Sequence, residues 1–194
     1  MRPARYLNPR NPFIMTASAQ MGFWVRDKTA CIKITGRANV TCSVDFKRLV
    51  QRLRELGCEQ VSLELTECLL MDSTFLGTLA RFACTGAVPK EGLPSLRFRL
   101  INANERITEM LDNLCVMELF TLAACQEPLP EALEMVPTDP GVSRAEVTRT
   151  ALEAHLTLTS IAPCNQPKFK DVLQFFAEEL REIEAAAASD PKQT

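Results

Sequence analysis

The chain has 194 residues, of which 46% are hydrophobic and 24% charged, and its 22 basic and 24 acidic residues give a net charge of −2. This composition is typical of a globular protein, and it lacks the clustered basic surplus of proteins that bind nucleic acid. No run approaches the roughly 18 apolar residues of a membrane helix, and the first twenty residues lack the apolar core of a signal peptide. We therefore expect a cytoplasmic protein with no nucleic-acid partner and no membrane insertion.

Cysteine and histidine are placed without the grouping that a metal site requires. The eight cysteines are scattered without a C-x-x-C pair, and the only histidine, His155, lies in a helical pattern away from them. Structural zinc needs ligands grouped on short loops, and a lone helical histidine is typically structural or solvated. We expect reduced thiols that pack as small hydrophobes, no metal and no cofactor.

Short β-prone runs alternate with longer helical ones from Gly22 to about Thr121, which is typical of an α/β domain. In chain order, the pattern predicts strands over 23–26, 29–35, 61–65, 96–101 and 117–122, and helices over 45–56, 73–85 and 102–114. Predicted N-caps for the three helices are Ser43, Asp72 and Asn102.

The remaining chain divides by composition. We expect a flexible extension over 1–21, the α/β domain over 22–125, a proline-rich linker over 126–142, a helical hairpin over 143–187 and a disordered tail over 188–194. Ser143 and Glu146 form a capping box for the first hairpin helix, and the second carries an apolar stripe. Burial of that stripe favours packing on the α/β domain. A homodimer through the hairpin, or an independent tail, is the alternative.

The segment from Val61 to Gly77 joins a strand to a helix through a turn rich in hydroxyl groups. Asp72 can cap that helix, which leaves Ser73 and Thr74 in its first turn. Backbone N–H groups are unpaired there and the helix dipole is positive, so a phosphate on Ser73 would be stabilised. Simple capping by the same three residues is the alternative interpretation.

The same segment resembles the signature of the STAS family, in which a strand leads into Asp-Ser-Ser/Thr-Gly-Leu-Gly. The turn Gly36-Arg37-Ala38-Asn39 resembles the family's Gly-Arg-Leu-Asp turn, and the strand and helix from Leu100 to Leu114 resemble its late elements. The resemblance covers about 22–122. It implies a STAS-like mixed β-sheet with helices, and it places Gly36, Arg37, Asn39, Asp72, Ser73, Thr74 and Phe75 at the partner-binding surface.

The resemblance also implies a function. Members of the family act as bacterial anti-sigma factor antagonists in transcription regulation. They bind an anti-sigma factor, often a serine kinase, until phosphorylation of the serine after the aspartate ends the binding, and a phosphatase restores it. This protein would then be a non-enzymatic, cytoplasmic switch controlled at Ser73.

Departures from the signature keep two alternatives open. Phe75 replaces the family's glycine, while Glu64, Asn39 and Cys115 replace two aspartates and a glycine. A bulky Phe75 is either a partner anchor or a buried residue. It also favours a STAS scaffold that works without phosphorylation, as a subunit of a transport or stress-sensing complex. An enzyme using its cysteines is a third hypothesis, although no nucleophile and base pair supports it.

Overall fold

The computed structural model describes residues 19–86, 95–125 and 132–189. The strands are β1 (Gln20–Arg26), β2 (Thr29–Ala38), β3 (Gln60–Glu64), β4 (Cys68–Met71), β5 (Arg97–Ile101), β6 (Thr121–Ala123) and β7 (Glu134–Met135). The helices are α1 (Val40–Glu55), α2 (Ser73–Gly86), α3 (Glu105–Asn113), α4 (Arg144–Ile161) and α5 (Gln166–Ser189). The predicted class, a mixed α/β sheet followed by a helical hairpin, is confirmed.

The strands form one mixed sheet in the order β6-β5-β3-β2-β1-β7. β2, β3, β5 and β6 run parallel, whereas β1 is antiparallel to both β2 and β7. β2 lies inside the sheet, between β3 and β1. Its Ile32 and Ile34 are fully buried, as the alternating pattern predicts. Its first half pairs with β3 and its second half with β4, across a register shift between Gly36 and Arg37.

Three helices begin at one edge of this sheet, where β2, β4 and β5 end. α1 follows β2, α2 follows β4 and α3 follows β5. Asn104, before α3, also donates from Nδ2 to the carbonyl oxygen of Cys68 in β4, at 2.7 Å. Because strand ends and helix starts converge there, this edge carries the candidate site.

Two predicted caps are wrong. α1 begins after Asn39, whose side chain accepts from Thr41 N–H, so the helix starts well before Ser43. α3 is capped by Asn104, which accepts from Ile107 N–H, and not by Asn102. Asn102 instead has φ 57°, a conformation that asparagine tolerates. Sequence spacing alone does not distinguish two neighbouring polar caps.

The final predicted strand is also shorter than expected. Residues Met117–Leu119 form a turn of 3-10 helix, and only Thr121–Ala123 joins the sheet as β6.

The elements of the C-terminal region cross the predicted boundaries in two places. The segment predicted as a linker, 126–142, contains β7, which pairs with Gly22 and Phe23 of β1. The hairpin itself begins after Ser143, which accepts from Glu146 N–H, so one half of the predicted capping box is present, while the Glu146 carboxylate accepts from Arg48. At the other end of the chain, β1 already begins within 1–21, Ala19 before it is buried, and residues 1–18 lie outside the described residues. α5 extends into the segment 188–194, whose last five residues also lie outside them.

The hairpin packs on the α/β domain of its own chain, as the sequence favours. α4 lies against α2 and α1, and Leu158 of α4 and Phe169 of α5 join the hydrophobic core. Among the described residues, no helix is long and apolar enough to span a membrane.

Candidate functional site

Asp72 joins the starts of α1 and α2. Its Oδ1 accepts from Phe75 N–H at 2.8 Å, and its Oδ2 accepts from Val40 N–H at 2.9 Å. Burial raises the pKa of the Asp72 carboxyl above its ordinary 3.8, while these N–H donors act in the opposite direction. The predicted capping role is confirmed, and it extends to a second helix.

The turn from Gly36 to Asn39 lies beside this junction. The backbone N–H of Asp72 donates to the carbonyl oxygen of Ala38 at 2.9 Å, which holds the two segments together. Gly36 has φ 82°, in the region that favours glycine, and its N–H donates to Glu67. Arg37 is exposed and Asn39 is half-buried. The structure therefore brings the two segments of the predicted site into contact.

Ser73 is the first residue of α2, and its hydroxyl contacts the C-terminal hairpin. Its Oγ lies 3.0 Å from Nε2 of His155 in α4. The other ring nitrogen, Nδ1, lies 2.8 Å from the carbonyl oxygen of Ala151, which can only accept. Nδ1 therefore carries the proton of the neutral ring. It follows that Nε2 is the acceptor and that the Ser73 hydroxyl donates to it.

His155 is buried beneath the second hairpin helix. Its ring centroid lies 4.8 Å from that of Phe169 and 5.7 Å from that of Phe176. Burial lowers the pKa of His155 below its ordinary 6.5, while the hydrogen bond to Ala151 and the charge of Asp72 act in the opposite direction. The ring is thus held neutral and ready to accept from Ser73.

Next to this contact, α2 and α4 approach closely at a glycine. A Cβ built on Gly77 would lie 2.6 Å from the backbone oxygen of Ala154 and 2.9 Å from its Cβ. One turn further, Arg81 pairs with Glu153, which also binds Lys47 of α1 at 2.9 Å. Burial acts to raise the pKa of Glu153, but the two cations hold it below its ordinary 4.5. At position 77, only glycine, which has no side chain, allows α2 and α4 to come this close.

These contacts define one face of α2. Ser73, Gly77 and Arg81 are spaced four residues apart, so they share one side of the helix. They meet the consecutive segment 153–155 of α4. We call this the hairpin face of α2.

Thr74 and Phe75 differ from the rest of the predicted site in their burial. Both are buried, and Phe75 has no exposed area. Its ring centroid lies 4.8 Å from that of Phe46 in α1. Of the two alternatives for Phe75, burial is therefore the one that the structure shows, so its ring is not exposed to a partner. Of the predicted set, Thr74 and Phe75 are buried, and the other five residues are half-buried or exposed.

His155 and one pair of thiols are the residues that sequence reasoning missed. The sequence placed His155 far from any partner, and the hairpin brings it to Ser73 across 82 positions. Cys115 and Cys164 are likewise distant in the chain, yet their Sγ atoms lie 2.9 Å apart. All eight cysteines are free thiols, and among the described residues no cluster of three ligand side chains could hold a metal ion.

Three solved structures are similar to this chain over about half of its length, each with a TM-score of 0.44. A protein of Thermotoga maritima, assigned as an anti-sigma factor antagonist, is 17% identical and covers 55% of this chain and 87% of its own. The anti-sigma factor antagonist SpoIIAA, in its unphosphorylated form, is 14% identical, with 53% and 87% covered. An anti-sigma factor antagonist of Mycobacterium paratuberculosis is 12% identical, with 54% and 85% covered.

All three are of the protein class that the sequence resembles. No protein-family model matches this chain, and neither does any curated protein. At identities of 12–17% the likeness assigns no role to any residue.

Proposed function

We propose that this protein is a non-enzymatic protein-binding switch of the anti-sigma factor antagonist type, with Ser73 as the switch residue. Its partner would be an anti-sigma factor with serine kinase activity, and a phosphatase would reset the switch in the cytoplasm. The accessible surface would include Gly36, Arg37 and Asn39 beside Asp72. The observation that carries the proposal is the position of the Ser73 hydroxyl, at the start of α2 and 3.0 Å from Nε2 of His155 in α4.

One feature of the site and one property of phosphate support phosphorylation at Ser73. The starts of α1 and α2 meet at Asp72, so the positive ends of two helix dipoles lie near the hydroxyl. A phosphate adds about −1.5 to −2 charge units and strong acceptor oxygens, which helix N-termini stabilise.

The same phosphate is incompatible with the present hairpin contact. Nε2 of His155 is an acceptor here, and phosphate oxygens are acceptors too. The contact could survive only if His155 took up a proton, which its burial opposes. Phosphorylation would therefore loosen α4 from the start of α2 as well as change the charge of the partner surface.

A phosphorylation-independent scaffold, as part of a transport or stress-sensing complex, is the second candidate. The observation in its favour is that the Ser73 hydroxyl already has a partner within the chain, and α4 covers the hairpin face of α2. In this case the Ser73 hydroxyl would serve only to hold the hairpin against α2 through its hydrogen bond to His155.

Affinity capture with the full chain, followed by calorimetry with the captured protein, separates the candidates. We expect an anti-sigma factor in the eluate and a phosphate mapped to Ser73 after incubation with the kinase. Ser73→Asp should then weaken binding by about tenfold or more. Ser143→Asp is the matched control, because it places the same charge at the start of α4 and should leave binding unchanged. Unmodified Ser73, together with equal affinities for wild type and Ser73→Asp, would support the scaffold instead.

A further inference from the structure

Cys115 and Cys164 differ from the other six cysteines in their exposure and in their contact with each other. Their Sγ atoms lie 2.9 Å apart, and both residues are exposed. Cys115 follows α3 in the α/β domain, whereas Cys164 lies in the 3-10 turn between the two hairpin helices. A bond between them would tie the hairpin to the domain on which it packs.

Neighbouring contacts keep the two thiols together. The side chain of Asn165 is fully buried, and its Nδ2 donates to the carbonyl oxygens of Leu114 at 2.8 Å and Leu158 at 3.1 Å. Lys168 donates from Nζ to the carbonyl oxygen of Asn113 at 2.6 Å. The turn carrying Cys164 is therefore anchored to the end of α3 by residues that follow Cys164 and residues that precede Cys115.

The buried thiols are poor candidates for the same chemistry. Burial raises the pKa of Cys31, Cys42 and Cys68 to about 11, so their reactive thiolates are scarce at neutral pH. The hydrogen bond with Cys164 also raises the pKa of the Cys115 thiol, but both residues are exposed to a reagent, and each is already in contact with its resolving thiol.

We propose that Cys115 and Cys164 are a redox modification site, which a low-molecular-weight disulfide oxidises to a reversible bond that locks the hairpin in place. One thiol loses its proton and attacks the small disulfide, releasing one small thiol. The second cysteine, also as its thiolate, then displaces the other small thiol. The protein loses two electrons and two protons, and the reagent's S–S bond is reduced to two thiols. The modification does not depend on the proposed function.

The bond would act directly on the site. While it is closed, α4 cannot leave the hairpin face of α2, so His155 stays on Ser73. Reduction would free the hairpin to move. If the proposed function holds, the oxidised protein should also be a poorer kinase substrate.

Incubation of the full chain in mixtures of oxidised and reduced glutathione tests the site. After alkylation of the remaining thiols, peptide mass spectrometry should find a Cys115–Cys164 linked peptide, with two fewer free thiols than the reduced protein. Amide hydrogen exchange in α4 should slow on oxidation. Cys115→Ser and Cys164→Ser should each abolish both effects, whereas Cys84→Ser, which alters a half-buried thiol elsewhere, should leave them intact.

Three outcomes would overturn the proposal. They are glutathione adducts at both cysteines without a linked peptide, a bond between two copies of the chain, and reduced thiols throughout the redox series. The linked peptide is measured on the wild-type protein, so the result stands even if a serine variant fails to fold. A linked peptide in a protein whose Ser73 is never phosphorylated would confirm the redox site while contradicting the proposed function.

Discussion

The two sides of α2 are built on different principles. Its inner side places Phe75, Leu76 and Leu79 in the hydrophobic core, and all three are fully buried. Its hairpin face contacts α4 through the hydroxyl of Ser73, the backbone of Gly77 and the guanidinium of Arg81. One helix thus joins the core, through large buried side chains, to α4, through a contact in which polar groups lie beside the fully buried Ala154.

This difference indicates which contacts of α2 are strong and which are weak. Each large side chain on the inner side contributes about 1.5–3 kcal/mol by burial, so that side separates only on unfolding. A hydrogen bond of the kind made by Ser73 contributes about 0.5–1.5 kcal/mol net. The polar contacts of the hairpin face are therefore individually weaker than the inner ones, and the serine makes one of them. Three substitutions test this contrast.

Removing the inner anchor should have the largest effect. Phe75→Ala should lower the free energy of unfolding by about 3–5 kcal/mol, because it leaves a cavity beside Phe46. Chemical denaturation monitored by circular dichroism measures the change. Phe175→Ala is the control, since Phe175 is 59% exposed and should shift stability by about 0.5 kcal/mol or less. A small loss for Phe75→Ala would show that the inner side is not a permanent core.

Gly77→Ala should have an intermediate effect, and its sign is the informative part. In a helix interior free of neighbours this change stabilises by about 0.5–1 kcal/mol. Here the new Cβ meets the backbone oxygen of Ala154 at 2.6 Å, so we expect a loss of about 1–3 kcal/mol. Faster amide exchange in α4, with the sheet unchanged, would locate the damage at the hairpin face. A gain in stability would mean that α4 does not rest on Gly77.

The smallest effect should come from protonation of His155. Its pKa is lowered in the folded protein, so the unfolded chain binds the proton first as the pH falls below 6.5. The stabilisation is therefore complete above pH 6.5 and is lost as the pH decreases toward the lowered pKa. Asp72, whose pKa is raised from 3.8, has the opposite slope, because there the folded state binds the proton first.

Thermal unfolding between about pH 5 and 7.5 measures the slope around the histidine value. His155 is the only histidine, so His155→Gln should flatten the curve in this window. An equal slope in the variant would assign the pH dependence to carboxylates instead.

Local patterns predicted most of the domain. The alternation in β2, the Asp72 cap of α2 and the Ser143 cap of α4 all stand as predicted, since each depends on residues a few positions apart. The caps of α1 and α3 were misplaced, because neighbouring asparagine and serine residues have similar intrinsic preferences for helix starts. β7 was missed because two residues carry no periodicity, and they form a strand only where β1 offers an edge.

The sequence by itself determined the α/β class, the hairpin helices and the location of Ser73 at the start of a helix, because periodicity and capping are local properties of the chain. Only the tertiary structure decided that Phe75 is core, that His155 accepts from Ser73 and that Cys115 meets Cys164. These contacts join positions 49 and 82 residues apart, or depend on which side of a helix faces the sheet. The contacts of His155 and Cys164 form when the apolar stripe of the hairpin is buried. The residues that this burial brings together are far apart in the sequence, so no local pattern predicts their contact.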